Sequence, residues 1–167
     1  LSGLNPWGYH AVSILFHTLN GVVVFFLTCE LVRPKENANG AERESAILPV
    51  GFFAALLFVT NPINTEAVNW IASVTELSSA FFLMLSLYLF IRERRYLSAL
   101  FFLSSLFSKE TAAVLPLFLI TFDLVIRREP ILPVKRWLLR YCPYGVAVVL
   151  YIAMRFNAMG GMAPKEA

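Results

Sequence analysis

Three groups of residues carry chemistry that a purely apolar chain would not need. Ser108-Lys109-Glu110 sets a lysine beside a glutamate between two apolar runs. The segment NPINTEAVNWIASVTE, Asn61 to Glu76, holds two glutamates and several amide and hydroxyl side chains but no lysine or arginine. Read as a helix capped by Asn61 or Asn64, it puts Glu66, Asn69, Ser73 and Glu76 on one face. Ala67, Val68, Ile71 and Val74 cover much of the other. His10 and His17 share a helix face about 10 Å apart along the axis, and Asn20 continues it. Arg155 adds a second cation inside the last apolar run.

Each group has a plain reading and a chemical one. The Lys109–Glu110 pair is either a neutralising pair at a helix junction or a fixed cation facing an anionic headgroup, with Glu110 orienting it. The stripe from Glu66 to Glu76 either lines a cavity or faces outside water. Arg155 either joins Lys109 as a phosphate-facing cation or snorkels to the interface. Two histidines without a third ligand make a poor metal site, so His10 and His17 pack against another helix or touch a ligand. The chain has no HExxH, glycine-rich phosphate loop or nucleophile elbow. No motif calls for a cofactor, and a divalent metal is left open.

The elements that must position these side chains are membrane helices. Of 167 residues, 58% are hydrophobic and only 15% charged, where a soluble domain has about 25% charged. Apolar runs lie at roughly 9–32, 47–60, 74–91, 96–107, 111–126 and 141–157. The expected fold is all-α: a polytopic helical membrane protein of about six transmembrane helices in one domain. The second, fourth and fifth runs fall short of the roughly 20 residues a span needs. Their polar neighbours must therefore lie near or within the membrane boundary.

Basic residues alternate from loop to loop. Arg33, Lys35 and Arg43 fill the first loop, Arg92, Arg94 and Arg95 the third, and Arg127, Arg128, Lys135, Arg136 and Arg140 the fifth. The segment from Asn61 to Glu76 has none, and the fourth loop has only Lys109. The positive-inside rule puts the basic loops in the cytoplasm and both ends of the chain outside it. Membrane orientation accounts for the net charge of +3, and no nucleic-acid partner is expected. Cys29 and Cys142 lack paired spacing and read as free thiols on the cytoplasmic side.

NPWGYHAVSILFHTLN, NPINTEAVNWIASVTELSSAFF and LFSKETAAVLPLFLITFDL, in that order, resemble the membrane domain of the bacterial-type transmembrane-and-tetratricopeptide-repeat family. The resemblance runs from about Asn5 to Asp123 and more weakly through PYGVAVVLYIAMRF. Such proteins are GT-C-fold glycosyltransferases related to protein O-mannosyltransferases. Gly8-Tyr9-His10 and His17 match one family motif, Pro62, Thr65, Glu66 and Trp70 a second, and Ser108, Lys109 and Glu110 a third. The chain departs at Asn61 and Asn64, where many relatives have histidine, and at Val74, where an arginine is common.

The resemblance implies a partial GT-C fold, a bacterial inner membrane, a polyprenyl-phosphate sugar donor and a protein or glycan acceptor on the outer face. Lys109, Glu110, Arg155, His10, His17, Glu66, Asn69 and Glu76 are the candidate donor- and substrate-binding residues. The catalytic acidic loop is expected upstream of Leu1, and the tetratricopeptide repeats beyond the membrane domain. Two rivals stand beside this reading. A transporter or flippase predicts pseudo-symmetric halves, and no internal repeat is visible. A non-catalytic scaffold predicts no acidic loop.

Overall fold

The structure is a computed structural model that describes residues 7–33, 40–64, 70, 73–127 and 134–160, with side chains at all of these except 40–46, 134, 136, 159 and 160. The described residues are almost wholly helical. Helix α1 spans Trp7–Val32, α2 Gly40–Thr60, α3 Val74–Ile91 and α4 Arg95–Ser108. A broken helix follows: a 3₁₀ stretch Glu110–Val114, α5 Leu115–Thr121 and a π-helical turn Phe122–Ile126. Helix α6 spans Val134–Gly160. Side-chain contacts fix the directions. Asn20 meets Leu77 and Glu30 meets Arg92, so α1 and α3 run the same way. Ser79 meets Ser105 and Ser86 meets Ser98, so α4 returns.

Among the described residues, three helical segments are long and apolar enough to cross a membrane: Trp7–Val32, Val74–Ile91 and Trp137–Ala158. Ile47–Thr60 is apolar but shorter. Leu57 and Phe53 on α2 and Val149 and Phe156 on α6 point large side chains outward. Exposed apolar surface on this scale suits lipid rather than water.

The inner core is built where α3, α4, α5 and α6 meet, around Phe90, Phe102, Leu106, Leu115, Leu119 and Tyr144. What sets the spacing of α3 and α4 is polar. The Ser79 and Ser105 hydroxyls each donate to the other's backbone carbonyl, at 3.3 and 2.8 Å. Ser86 and Ser98 do the same at 2.7 and 2.6 Å. All four serines are buried. Each pair recurs one heptad along its own helix, the period that keeps a seam facing its partner. Lipid gives helices no hydrophobic reason to associate, so small residues and hydroxyl bonds hold them close. The Tyr144 hydroxyl donates to Ser98 Oγ at 2.6 Å and ties α6 to the same layer.

Close approach also joins α1 to α2. A side-chain carbon at Gly51 would stand 2.5 Å from Cys29 Sγ, and one at Gly21 would stand 2.6 Å from Val59 Cγ2. At its C-terminus α2 leaves carbonyls without helical partners, and side chains supply them. Asn64 Nδ2 donates to the Phe58 carbonyl at 2.6 Å, and His17 Nε2 donates to that of Val59 at 3.2 Å.

The turn between α3 and α4 closes tightly. The Arg94 N–H reaches the Leu89 carbonyl at 2.9 Å and the Glu93 N–H that of Phe90 at 3.0 Å. This bonding pattern wants a left-handed residue, usually glycine. Glu93 takes it at φ 59, at a cost of about 1–2 kcal/mol.

Alanine at Ser105 keeps the helix spacing and is expected to cost about 1 kcal/mol. Leucine at Ser105 is expected to wedge α3 and α4 apart and to lose cooperative unfolding. Thermal melts of the two variants in detergent, monitored by circular dichroism, distinguish these outcomes.

Candidate functional site

Glu76, Lys109, Glu110 and Arg155 gather at the end of the bundle where α4 gives way to the broken helix. Lys109 is the break. Its backbone is extended, φ −155 and ψ 130, so the helix stops at Ser108 and restarts at Glu110. Extended backbone sends successive side chains to opposite sides, and this splits the sequence neighbours Lys109 and Glu110 between two helices. Lys109 Nζ meets Glu76 Oε1 at 2.5 Å, on the first turn of α3. Glu110 meets Arg155 on α6. Arg155 also donates to the Tyr151 hydroxyl at 2.5 Å, four residues earlier on the same helix.

The result is a row of alternating charge, Glu76, Lys109, Glu110 and Arg155, drawn from three parts of the fold. Sequence adjacency suggests that Glu110 orients Lys109; the structure instead pairs each with a more distant residue. The row is solvent-accessible. Lys109 and Glu76 side chains are 39% and 54% exposed, and those of Arg155 and Glu110 49% and 63%. An anionic group from outside can therefore approach either cation.

The histidines play different parts. His17 lies against α2, its ring stacked on Phe58 at 5.7 Å, and serves as a cap for the Val59 carbonyl. Because a carbonyl only accepts, Nε2 carries the proton in that contact. His10 lies half-buried on the first turns of α1, toward the same end of the bundle. Glu66 and Asn69 lie outside the described residues, and with them the middle of the polar stripe. Of its beginning, Asn61 Oδ1 accepts from the Ile63 N–H at 3.1 Å, as a capping residue does. Among the described residues no three of His, Cys, Asp and Glu lie close enough to hold a metal ion.

A second charged group closes the opposite end. The π-helical turn brings Asp123 into the bundle, where it is buried against Arg140 of α6. Arg140 Nη2 donates to Oδ1 at 3.0 Å, and its Nε lies 2.8 Å from Oδ2 as an ion-pair contact. The Tyr141 hydroxyl donates to Oδ2 at 2.6 Å. Arg127 sits 3.7 Å from Asp123, pairs with Glu93 and donates to the Ile91 carbonyl at 2.9 Å. Arg140 also lies over the Phe90 ring, 5.0 Å from its centre. Asp123 stands within an apolar run of the sequence, whereas Glu93 and Arg140 sit in basic loops that look like ordinary topology signals. Tyr151 has a fainter signal, its spacing of one helical turn from Arg155.

Part of the chain is similar to protein O-mannosyl-transferases. It is 32% identical to Protein O-mannosyl-transferase TMTC2 of Mus musculus over 96 residues, which cover 55% of this chain and 9% of that protein. TMTC3 of Mus musculus is 37% identical over 84 residues, 50% of this chain and 8% of that protein. Tmtc3 of Drosophila melanogaster is 33% identical over 88 residues, 48% and 9% respectively. The chain thus spans less than a tenth of the length of the curated relatives it matches. No family model matches it, and no solved structure does. With three helices among its described residues long and apolar enough to cross a membrane, the chain is an integral membrane protein similar in part to glycosyltransferases.

The two charged ends differ in energetics. Exposed pairs such as Lys109–Glu76 contribute about 0–1 kcal/mol each, so they position charge more than they stabilise. The buried Asp123–Arg140 pair is held by its partners, and removing one leaves the other stranded. Asp123→Ala is expected to destabilise by about 3–5 kcal/mol, and adding Arg140→Met should recover most of that loss. Unfolding titrations of the single and double variants in mixed detergent micelles measure both values.

Proposed function

We propose that this chain is part of an integral-membrane glycosyltransferase of the GT-C type. In this reading it moves a sugar from a polyprenyl-phosphate donor to an acceptor hydroxyl, on a protein or glycan, at the outer face of the membrane. The observation that carries the proposal is the similarity to protein O-mannosyl-transferases. The paired cations at one end of the bundle supply fitting chemistry.

The proposal includes the placement in the membrane. Six spans cross it, the basic loops face the cytoplasm, and the end bearing Lys109 and Arg155 lies outside. We infer a bacterial inner membrane from the resemblance of the sequence motifs; the relatives named above are animal proteins.

In the reaction a carboxylate takes the proton of the acceptor hydroxyl while its oxygen attacks the anomeric carbon. The bond from that carbon to the donor phosphate oxygen breaks, and the lipid phosphate leaves with both electrons. Negative charge grows on the phosphate, where a fixed cation helps most. Lys109 fills that role, with Glu76 holding its ammonium at one place between turnovers. Arg155, held by Glu110 and Tyr151, is the second cation. Glu66, Asn69 and His10 are assigned to acceptor and donor contacts. The His17 ring acts indirectly, through its hold on the end of α2.

Lys109→Ala in the full-length protein is expected to lower transfer by about 10²–10³-fold while leaving membrane insertion intact. Transfer of radiolabelled sugar from a polyprenyl-phosphate donor in isolated membranes measures the first, and resistance to alkaline extraction the second. Unchanged turnover would remove Lys109 from the phosphate site.

A further inference from the structure

At the end opposite Lys109 the bundle carries a groove with two chemical halves. It lies between the last turn of α1, the end of α3 and the broken helix. One half is a cavity of about 250 Å³ with an apolar lining, in which Leu87, Phe118 and Val125 join Leu31, Phe122 and Ile126. The other, about 230 Å³, shares Leu31, Phe122 and Ile126 and adds Glu30, Arg33 and Arg127. The shared residues set the two cavities side by side along one furrow of the surface. Its apolar half opens to the lipid side, since Leu31, Phe118, Val125 and Ile126 are all exposed.

Among the described residues, charge at the polar half is unbalanced: Arg33 lines it, and Arg92 stands beside it through Glu30. Arg33 and Arg92 both pair with the single carboxylate of Glu30, at 3.4 and 3.2 Å. Their side chains are 58% and 46% exposed, so each has donors left to offer. Arg127 is already engaged by Asp123 and Glu93. Two accessible guanidiniums around one carboxylate leave a surplus positive charge at the mouth of an apolar furrow.

That polarity matches a phospholipid, with its phosphate at the arginines and an acyl chain along the furrow. We propose that this groove binds an anionic phospholipid, its phosphate against Arg33 and Arg92 and one acyl chain between Leu31, Leu87 and Val125. A zwitterionic headgroup brings its own cation, which the surplus arginine charge repels; an anionic one does not. The site stands apart from the proposed donor site at the other end of the bundle, and its test does not depend on sugar transfer.

The full-length protein, purified in detergent, can be titrated with phosphatidylglycerol and phosphatidylcholine of identical chains and read by native mass spectrometry. One phosphatidylglycerol is expected to be retained about tenfold more tightly than phosphatidylcholine. Arg33→Gln with Arg92→Gln should erase that preference, and Val125→Trp, which fills the furrow with the charges intact, should weaken retention of both lipids. Excess inorganic phosphate should not displace the lipid. A phosphatidylglycerol carrying a photoactivatable acyl chain should cross-link within residues 118–126 of the unaltered protein in membranes, whether or not the variants fold. Equal retention of the two lipids overturns the proposal, as does displacement by free phosphate. So does the absence of cross-links in that segment, the result expected if another helix covers the furrow.

Discussion

The α3–α4 contact governs this structure. Lipid does not drive apolar helices together, so their association must come from close packing and from bonds that lipid cannot replace. Two serine pairs one heptad apart provide both. Their small side chains let the backbones approach, and each hydroxyl bonds the opposite carbonyl. Everything of chemical interest hangs from the two ends of this hairpin. At one end it sets Glu76 against Lys109; at the other it presents Glu93 to arginines from the broken helix and α6. Tyr144 adds α6 to the same layer through Ser98, so Arg155 and Arg140 inherit their positions from it.

Much of the architecture is written in the composition. Apolar runs separated by islands of charge require membrane helices, and the described residues are helical with three segments long and apolar enough to cross. The serine spacing was present in the sequence too, but serine is common in many settings, and its meaning depends on which helix stands opposite. Local backbone shape was harder to read. Nothing in Ser-Lys-Glu announces that Lys109 is extended, and that single conformation sends neighbouring charges to different helices. The π-helical turn is similar: it buries Asp123 by altering the phase of a helix, which residue types do not reveal.

The two ends of the bundle use charge in opposite ways. Around Asp123 the groups are buried, ion-paired and flanked by aromatic rings, an arrangement that is costly to disturb. Around Lys109 they are half exposed and lightly held. A site that must receive and release a charged ligand needs the second kind, and a rigid foundation of the first kind keeps it in place.

Glu93 also bears on the order in which the molecule assembles. Its left-handed backbone is unfavourable for a residue with a side chain, and the arginines that engage its carboxylate arrive later in the chain, on the broken helix and on α6. An α3–α4 hairpin standing alone has the serine bonds and the two backbone bonds of its turn, but not the arginines that engage the Glu93 carboxylate. The Glu93 carboxylate is therefore fully engaged only once Arg127 and Arg140 have packed beside it. In a chain delivered to the membrane from its N-terminus, this turn gains its last contacts after the hairpin itself is complete.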